Sequence, residues 1–218
     1  MAYRDLHTRL LASGIGAGLI AASGSSALGQ EYQLRLEPSA SSVDMSTGTS
    51  TITVDVIGDM FDPSEHEYML WGSFALQTSG AAVSDIVWEH ASWSEYNHSA
   101  GYTNDGNFGM VEFGQWEYTD GWMPNNGSAI GSRIGSFTLT VEQGVVAGED
   151  LSINLVHAGR YALSTIDIDS GQSYYSTPES LLLGDATIQI VPAPSSAICL
   201  LGLGVWGSSR RRSRGQGG

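Results

Sequence analysis

Between Gln30 and Val191 the apolar residues fall at every second position rather than every third or fourth. The run Thr51-Ile52-Thr53-Val54-Asp55-Val56 puts Ile52, Val54 and Val56 on one face and Thr51, Thr53 and Asp55 on the other. Phe137-Thr138-Leu139-Thr140-Val141 repeats the pattern. No stretch of this region sustains a 3.6-residue apolar period. The alternation predicts strands over 32–36, 51–57, 68–77, 85–89, 109–118, 133–142, 151–157, 161–167 and 186–191. Turn-forming clusters separate them, among them Ser46-Thr47-Gly48, Asn104-Asp105-Gly106-Asn107, Asn125-Asn126-Gly127 and Ala147-Gly148-Glu149-Asp150. So many short strands in about 160 residues predict an all-β fold, a sandwich of two packed antiparallel sheets.

The two ends read differently. Residues 1–9 hold Arg4 and Arg9, residues 10–28 carry no charge, and Ala27-Leu28-Gly29 closes the segment with small residues at −3 and −1. That is the order of a secretory signal cut after Gly29 by signal peptidase, with an apolar signal helix ahead of the cut. At the other end Pro192-Ala193-Pro194 stops the last strand and holds an extended segment. Fifteen uncharged residues, 195–209, follow, and then Arg210, Arg211, Arg212 and Arg214. As a helix the uncharged stretch would span about 22 Å, short of a hydrocarbon core of about 30 Å. The arginines would hold its far end on the cytoplasmic side while the body stands outside. The expected organisation is a signal peptide over 1–29, a sandwich over 30–191 and a tail over 192–218.

Pro-x-Pro, a short glycine-rich apolar helix and a terminal arginine cluster resemble the PEP-CTERM sorting tail of Gram-negative bacteria. Ala193 stands where that family's motif has Glu. The resemblance covers residues 192–218. It implies recognition and cutting by an exosortase, passing contact with the inner membrane through the tail helix, and delivery to the cell surface or extracellular matrix. In the body, the segment order resembles cohesin-like and carbohydrate-binding jelly rolls. A short strand and polar turn at 36–50 lead to a strand at 52–56, and strands at 134–141 and 151–156 follow near the end. That resemblance implies a binding or display module and supplies no site residue.

Charge narrows the partners. All nine cations of the 218-residue chain are arginines. Between residues 30 and 191, Arg35, Arg133 and Arg160 stand against 22 acids, a net charge of −19. A body of that sign repels phosphate backbones, which excludes nucleic acid as its ligand. Cys199 is the only cysteine, so disulfides play no part within the chain.

Candidate chemistry is sparse. No G-x-S-x-G occurs, and His66, His90, His98 and His157 show no zinc-binding spacing. Two acidic groups, Asp59/Asp62/Glu65/Glu67 and Asp167/Asp169, resemble either calcium-holding loops or plain solvated loops. No cofactor is expected, and no catalytic residue is assigned. A hydrolase whose two acids lie far apart in sequence is the alternative to a non-enzymatic module. Aromatics are the strongest cue: Trp88, Trp93, Tyr96, Tyr102, Phe108, Phe113, Trp116, Tyr118 and Trp122 crowd 35 residues rich in Asn, Asp, Ser and Gly. Trp and Tyr rings stack on sugars, and neighbouring amides and carboxylates bind hydroxyls. Trp88 and Phe113 sit in strands and are expected in the core. Trp93 and Trp122, flanked by polar residues, are expected to be exposed and, with Trp116, to contact extracellular polysaccharide. Another surface protein is the second class of partner.

Overall fold

A computed structural model of the chain describes residues 31–191 apart from 47, 117–121, 143–148 and 160–161. Residues 1–29 and 192–218, where a signal peptide, a sorting tail and two flanking helices are expected, lie outside the described residues.

Among the described residues, thirteen strands form two layers. The five-stranded sheet runs β12 (Leu181–Leu183), β1 (Tyr32–Pro38), β3 (Ser50–Met60), β8 (Arg133–Val141), β5 (Val83–His90). The eight-stranded sheet is organised around β4 (Glu67–Gly80). One edge of β4 pairs first with β10 (Leu163–Asp167) and further along with β9 (Leu151–Val156). Its other edge pairs with β7 (Phe108–Gly114), which pairs in turn with β6 (Tyr96–Ser99). Outside β10 lies β11 (Gln172–Tyr175), and outside β9 lie β13 (Asp185–Val191) and then β2 (Ser42–Asp44).

The alternation builds the core directly. Ile52, Val54 and Val56 from β3 and Phe137, Leu139 and Val141 from β8 face inward, opposite Phe74, Leu76, Val111, Phe113, Ile153 and Ile188 of the larger sheet. The rings interlock across the gap: Phe74 meets Phe137 edge-on at 6.1 Å and Phe108 meets it at 5.2 Å. Trp88 packs on Phe137 at 4.6 Å, as expected of a core aromatic, and Phe113 is buried. Polar residues at the intervening positions turn Thr51, Thr53, Thr138 and Thr140 outward in paired register on the five-stranded sheet.

The sheets are mixed, which corrects the expectation of purely antiparallel ones. β12 pairs with β1 in parallel, and β2 pairs with β13 in parallel. Both are three-residue strands lifted from connecting segments, and each joins a partner far away in sequence. Hairpin geometry imposes antiparallel pairing only on neighbours in sequence, so these distant additions are free to run either way.

Candidate functional site

A cleft of about 470 Å³ opens on the outer face of the eight-stranded sheet, where β11, β10, β4, β7 and β6 lie side by side. The ladder register lines up one residue from each strand: Tyr175 opposite Ser164, Ser164 opposite Trp71, Trp71 opposite Gly114, Gly114 opposite Tyr96. Residues directly opposite one another share a face of the sheet. The result is a row across five strands in which large rings and small residues alternate.

A bulge aims Trp71 outward. Met69 faces the core, so simple alternation would send Trp71 inward as well. The β4–β10 ladder instead shifts register between Ser164 and Thr165, leaving Leu70 as the extra residue between Trp71 and Met69. An extra residue reverses the facing of everything beyond it. Gly114 completes the seat. A Cβ placed there would lie 2.7 Å from the Cβ of Trp71 and 2.9 Å from the Leu70 carbonyl oxygen, so glycine is the residue that lets the two strands approach this closely beneath Trp71.

Polar side chains brace the rings. Tyr96 meets Trp116 edge-on at 5.4 Å, and its hydroxyl donates to Glu112 Oε2 at 3.0 Å. The Trp116 backbone N–H donates to Glu95 Oε2 at 3.3 Å. Ser94 Oγ donates to the Tyr96 carbonyl at 2.7 Å and accepts from the Gly114 N–H at 3.1 Å, tying β6 to β7. Gln115 is buried below. Its Nε2 donates to the Met69 carbonyl and to Ser128 Oγ, and its Oε1 accepts from the Asn125 N–H, which fixes the 122–130 segment against β4. Ser164, between Trp71 and Tyr175, is 3% exposed, and its hydroxyl has no hydrogen-bond partner among the described residues. Tyr175 is 65% exposed and Trp116 49%.

The structure distributes the expected tryptophans three ways. Trp116 lines the cleft. Trp122 is half-buried and is not part of the cleft lining. Trp93 is 3% exposed, which overturns its expected place at the surface. Its indole packs edge-on against Phe113 at 6.0 Å, and its Nε1–H donates to the Arg133 carbonyl at 2.9 Å. Serines beside Trp93 suggested solvent, but a single ring can dive out of a short polar loop once its N–H finds a carbonyl. Trp71 and Tyr175 were not anticipated. Nothing in local alternation signals the bulge that exposes Trp71, and Tyr175 lies outside the dense aromatic segment.

Of the two acidic groups, the first is split and the second closes a turn. Asp59 accepts from Arg35 Nε at 3.0 Å. Glu67 belongs to no loop: it is buried at the start of β4, where Oε1 accepts from Thr165 Oγ1 at 2.6 Å. Asp167 Oδ1 accepts the Asp169 N–H at 2.9 Å, closing a turn, and Asp169 pairs with His66 Nδ1 at 2.9 Å. That carboxylate raises the His66 pKa above its ordinary value, through the hydrogen bond first and charge second.

No protein-family model matches the chain, and no curated protein matches it. Several solved structures are similar. The sixth cohesin from scaffoldin B of Acetivibrio cellulolyticus is 11% identical with a TM-score of 0.43, over 73% of this chain and 99% of that one. A cohesin module from a family 33 glycoside hydrolase of Clostridium perfringens is 9% identical with a TM-score of 0.41, over 75% and 97%. A type III cohesin module from a cell-surface anchoring scaffoldin of Ruminococcus flavefaciens is 11% identical with a TM-score of 0.41, over 74% and 88%.

Proposed function

We propose that the chain is an exported surface or matrix module that works by binding, and that the aromatic cleft takes an extracellular polysaccharide. The observation that carries this is the row Tyr175, Trp71, Tyr96 with Trp116 beside it, rings held at fixed register on a rigid sheet. Flat aromatic faces with a few polar groups at their edges suit sugar rings, which present an apolar face ringed by hydroxyls. The five-stranded sheet carries paired threonines on its outer face and, beside Phe61 and Leu182, a smaller pocket of about 180 Å³ that holds no Trp or Tyr.

Export follows from the ends. Ala27-Leu28-Gly29 suits signal peptidase, and Pro192-Ala193-Pro194 with Arg210, Arg211, Arg212 and Arg214 suits an exosortase-type sorting enzyme. A chain lacking 192–218 is expected to miss the surface or matrix fraction that the full chain reaches. Equal delivery with equal C-terminal mass would remove the sorting role.

Binding is tested on immobilised polysaccharides. The full chain is expected to be retained on at least one, and a Trp116→Ala/Tyr175→Ala double variant, which alters exposed rings, is expected to lose most of that retention. Retention unchanged in the double variant would reject the cleft as the site.

A further inference from the structure

Resting on the binding role proposed above, we infer that the ligand is an extended, uncharged saccharide chain that lies across the strands, at right angles to β4. The rings of the row sit on alternate strands: Tyr175 on β11, Trp71 on β4, Tyr96 on β6. Two strand spacings separate each ring from the next, about 9.6 Å, which approximates the length of a disaccharide repeat in an extended polymer. A chain running along the row therefore offers a sugar face to a ring at every second unit. The small residues Ser164 and Gly114 occupy the strands between, so no bulky side chain stands between one ring and the next.

Charge selects against acidic polymers. Glu112 lines the cleft, Glu95 stands beside Trp116, and no arginine is among the described lining residues. The surrounding body is strongly acidic. A uronate chain would set like charge against Glu112 at close range.

From Tyr175 to Tyr96 the row covers four strand spacings, about 19 Å, so with a ring at every second unit about five sugar units are needed to touch all three rings. Calorimetric titration of the full chain with neutral β-linked gluco- and manno-oligosaccharides, two to six units long, reads this directly. Affinity is expected to rise at least about tenfold, about 1.4 kcal/mol, between two and five units, and then to level off. Tyr175→Ala, an exposed change that leaves the core untouched, is expected to erase most of that rise. Oligogalacturonides of equal length are expected to bind at least about tenfold more weakly. Binding that depends on Trp116 yet ignores length, or that favours the galacturonides, would overturn the extended neutral ligand and leave the module reading standing. Failure of every oligosaccharide and every immobilised polysaccharide to bind would overturn both.

Discussion

Trp71 and Gly114 face each other across the β4–β7 ladder, and the base of the Trp71 side chain sits where a Cβ on Gly114 would have to go. Neither neighbour can yield easily, since one contact is the first carbon of Trp71 and the other is backbone. Gly114→Ala is expected to destabilise the fold by about 1–3 kcal/mol, the usual cost of forcing a carbon into a packed site. Urea denaturation checks this. The same variant should bind ligand more weakly at concentrations where it remains folded, because Trp71 must tilt out of the row.

The sandwich was legible because its core strands obey alternation without interruption. Thr51 to Val56 and Phe137 to Val141 lie in the structure as read, and both were found within longer strands. The short strands β2, β6, β11 and β12 were not legible. Tyr96-Asn97-His98-Ser99 and Gln172-Ser173-Tyr174-Tyr175 carry no apolar alternation, and these segments pair because larger strands offer them an edge. The cleft was half legible. Tyr96 and Trp116 belong to the dense aromatic segment, but Trp71 reads as an inward residue until the bulge at Leu70 is known, and a bulge depends on the partner strand.

Trp93 gives the next prediction, because its burial is the point at which composition misled. Trp93→Ala is expected to cost about 3–5 kcal/mol, the range for deleting a large buried ring. Trp93→Phe keeps most of the ring but removes the donor to the Arg133 carbonyl, and about 1–3 kcal/mol should follow from the unpaired acceptor. Chemical denaturation of both separates packing from hydrogen bonding. Losses below about 0.5 kcal/mol in both would mean that Trp93 lies at the surface after all.

His66 supplies a pH test. Its carboxylate partner Asp169 favours the charged ring, so the folded-state pKa lies above the ordinary histidine value. The sign follows: the stabilisation from this pair is fully present below the ordinary histidine pKa and is lost as pH rises through the raised one. Proton NMR of the imidazole is expected to show the raised midpoint, and Asp169→Asn is expected to bring it down. The exposed position of both groups limits any effect on overall stability. An unchanged midpoint in Asp169→Asn would show that the pair does not form in solution.

A buried polar chain joins the two sheets and carries the last prediction. Tyr32 of β1 places its hydroxyl 3.4 Å from Thr165 Oγ1 of β10, and Thr165 donates to Glu67 Oε1 of β4 at 2.6 Å. All three residues are at most 3% exposed. Glu67 Oε2 is buried without a partner among the described residues, so this carboxyl group leans on the hydrogen bond that Oε1 accepts from Thr165. Thr165→Val keeps the shape and removes the hydroxyl. It is expected to lower stability by about 1–3 kcal/mol, the cost of leaving a buried acceptor unmade, while Thr165→Ser should lose much less. Burial also raises the Tyr32 pKa, chiefly because the phenolate would be desolvated. A group with a raised folded pKa holds its stability below the ordinary tyrosine value and loses it as pH climbs through the raised value, so the wild type should weaken in strongly alkaline solution. Tyr32→Phe cannot ionise and should show a flatter alkaline limb in urea midpoints taken from neutral pH upward. Equal slopes for the two proteins would mean that Tyr32 reaches solvent, and the polar chain between the sheets would not exist as described.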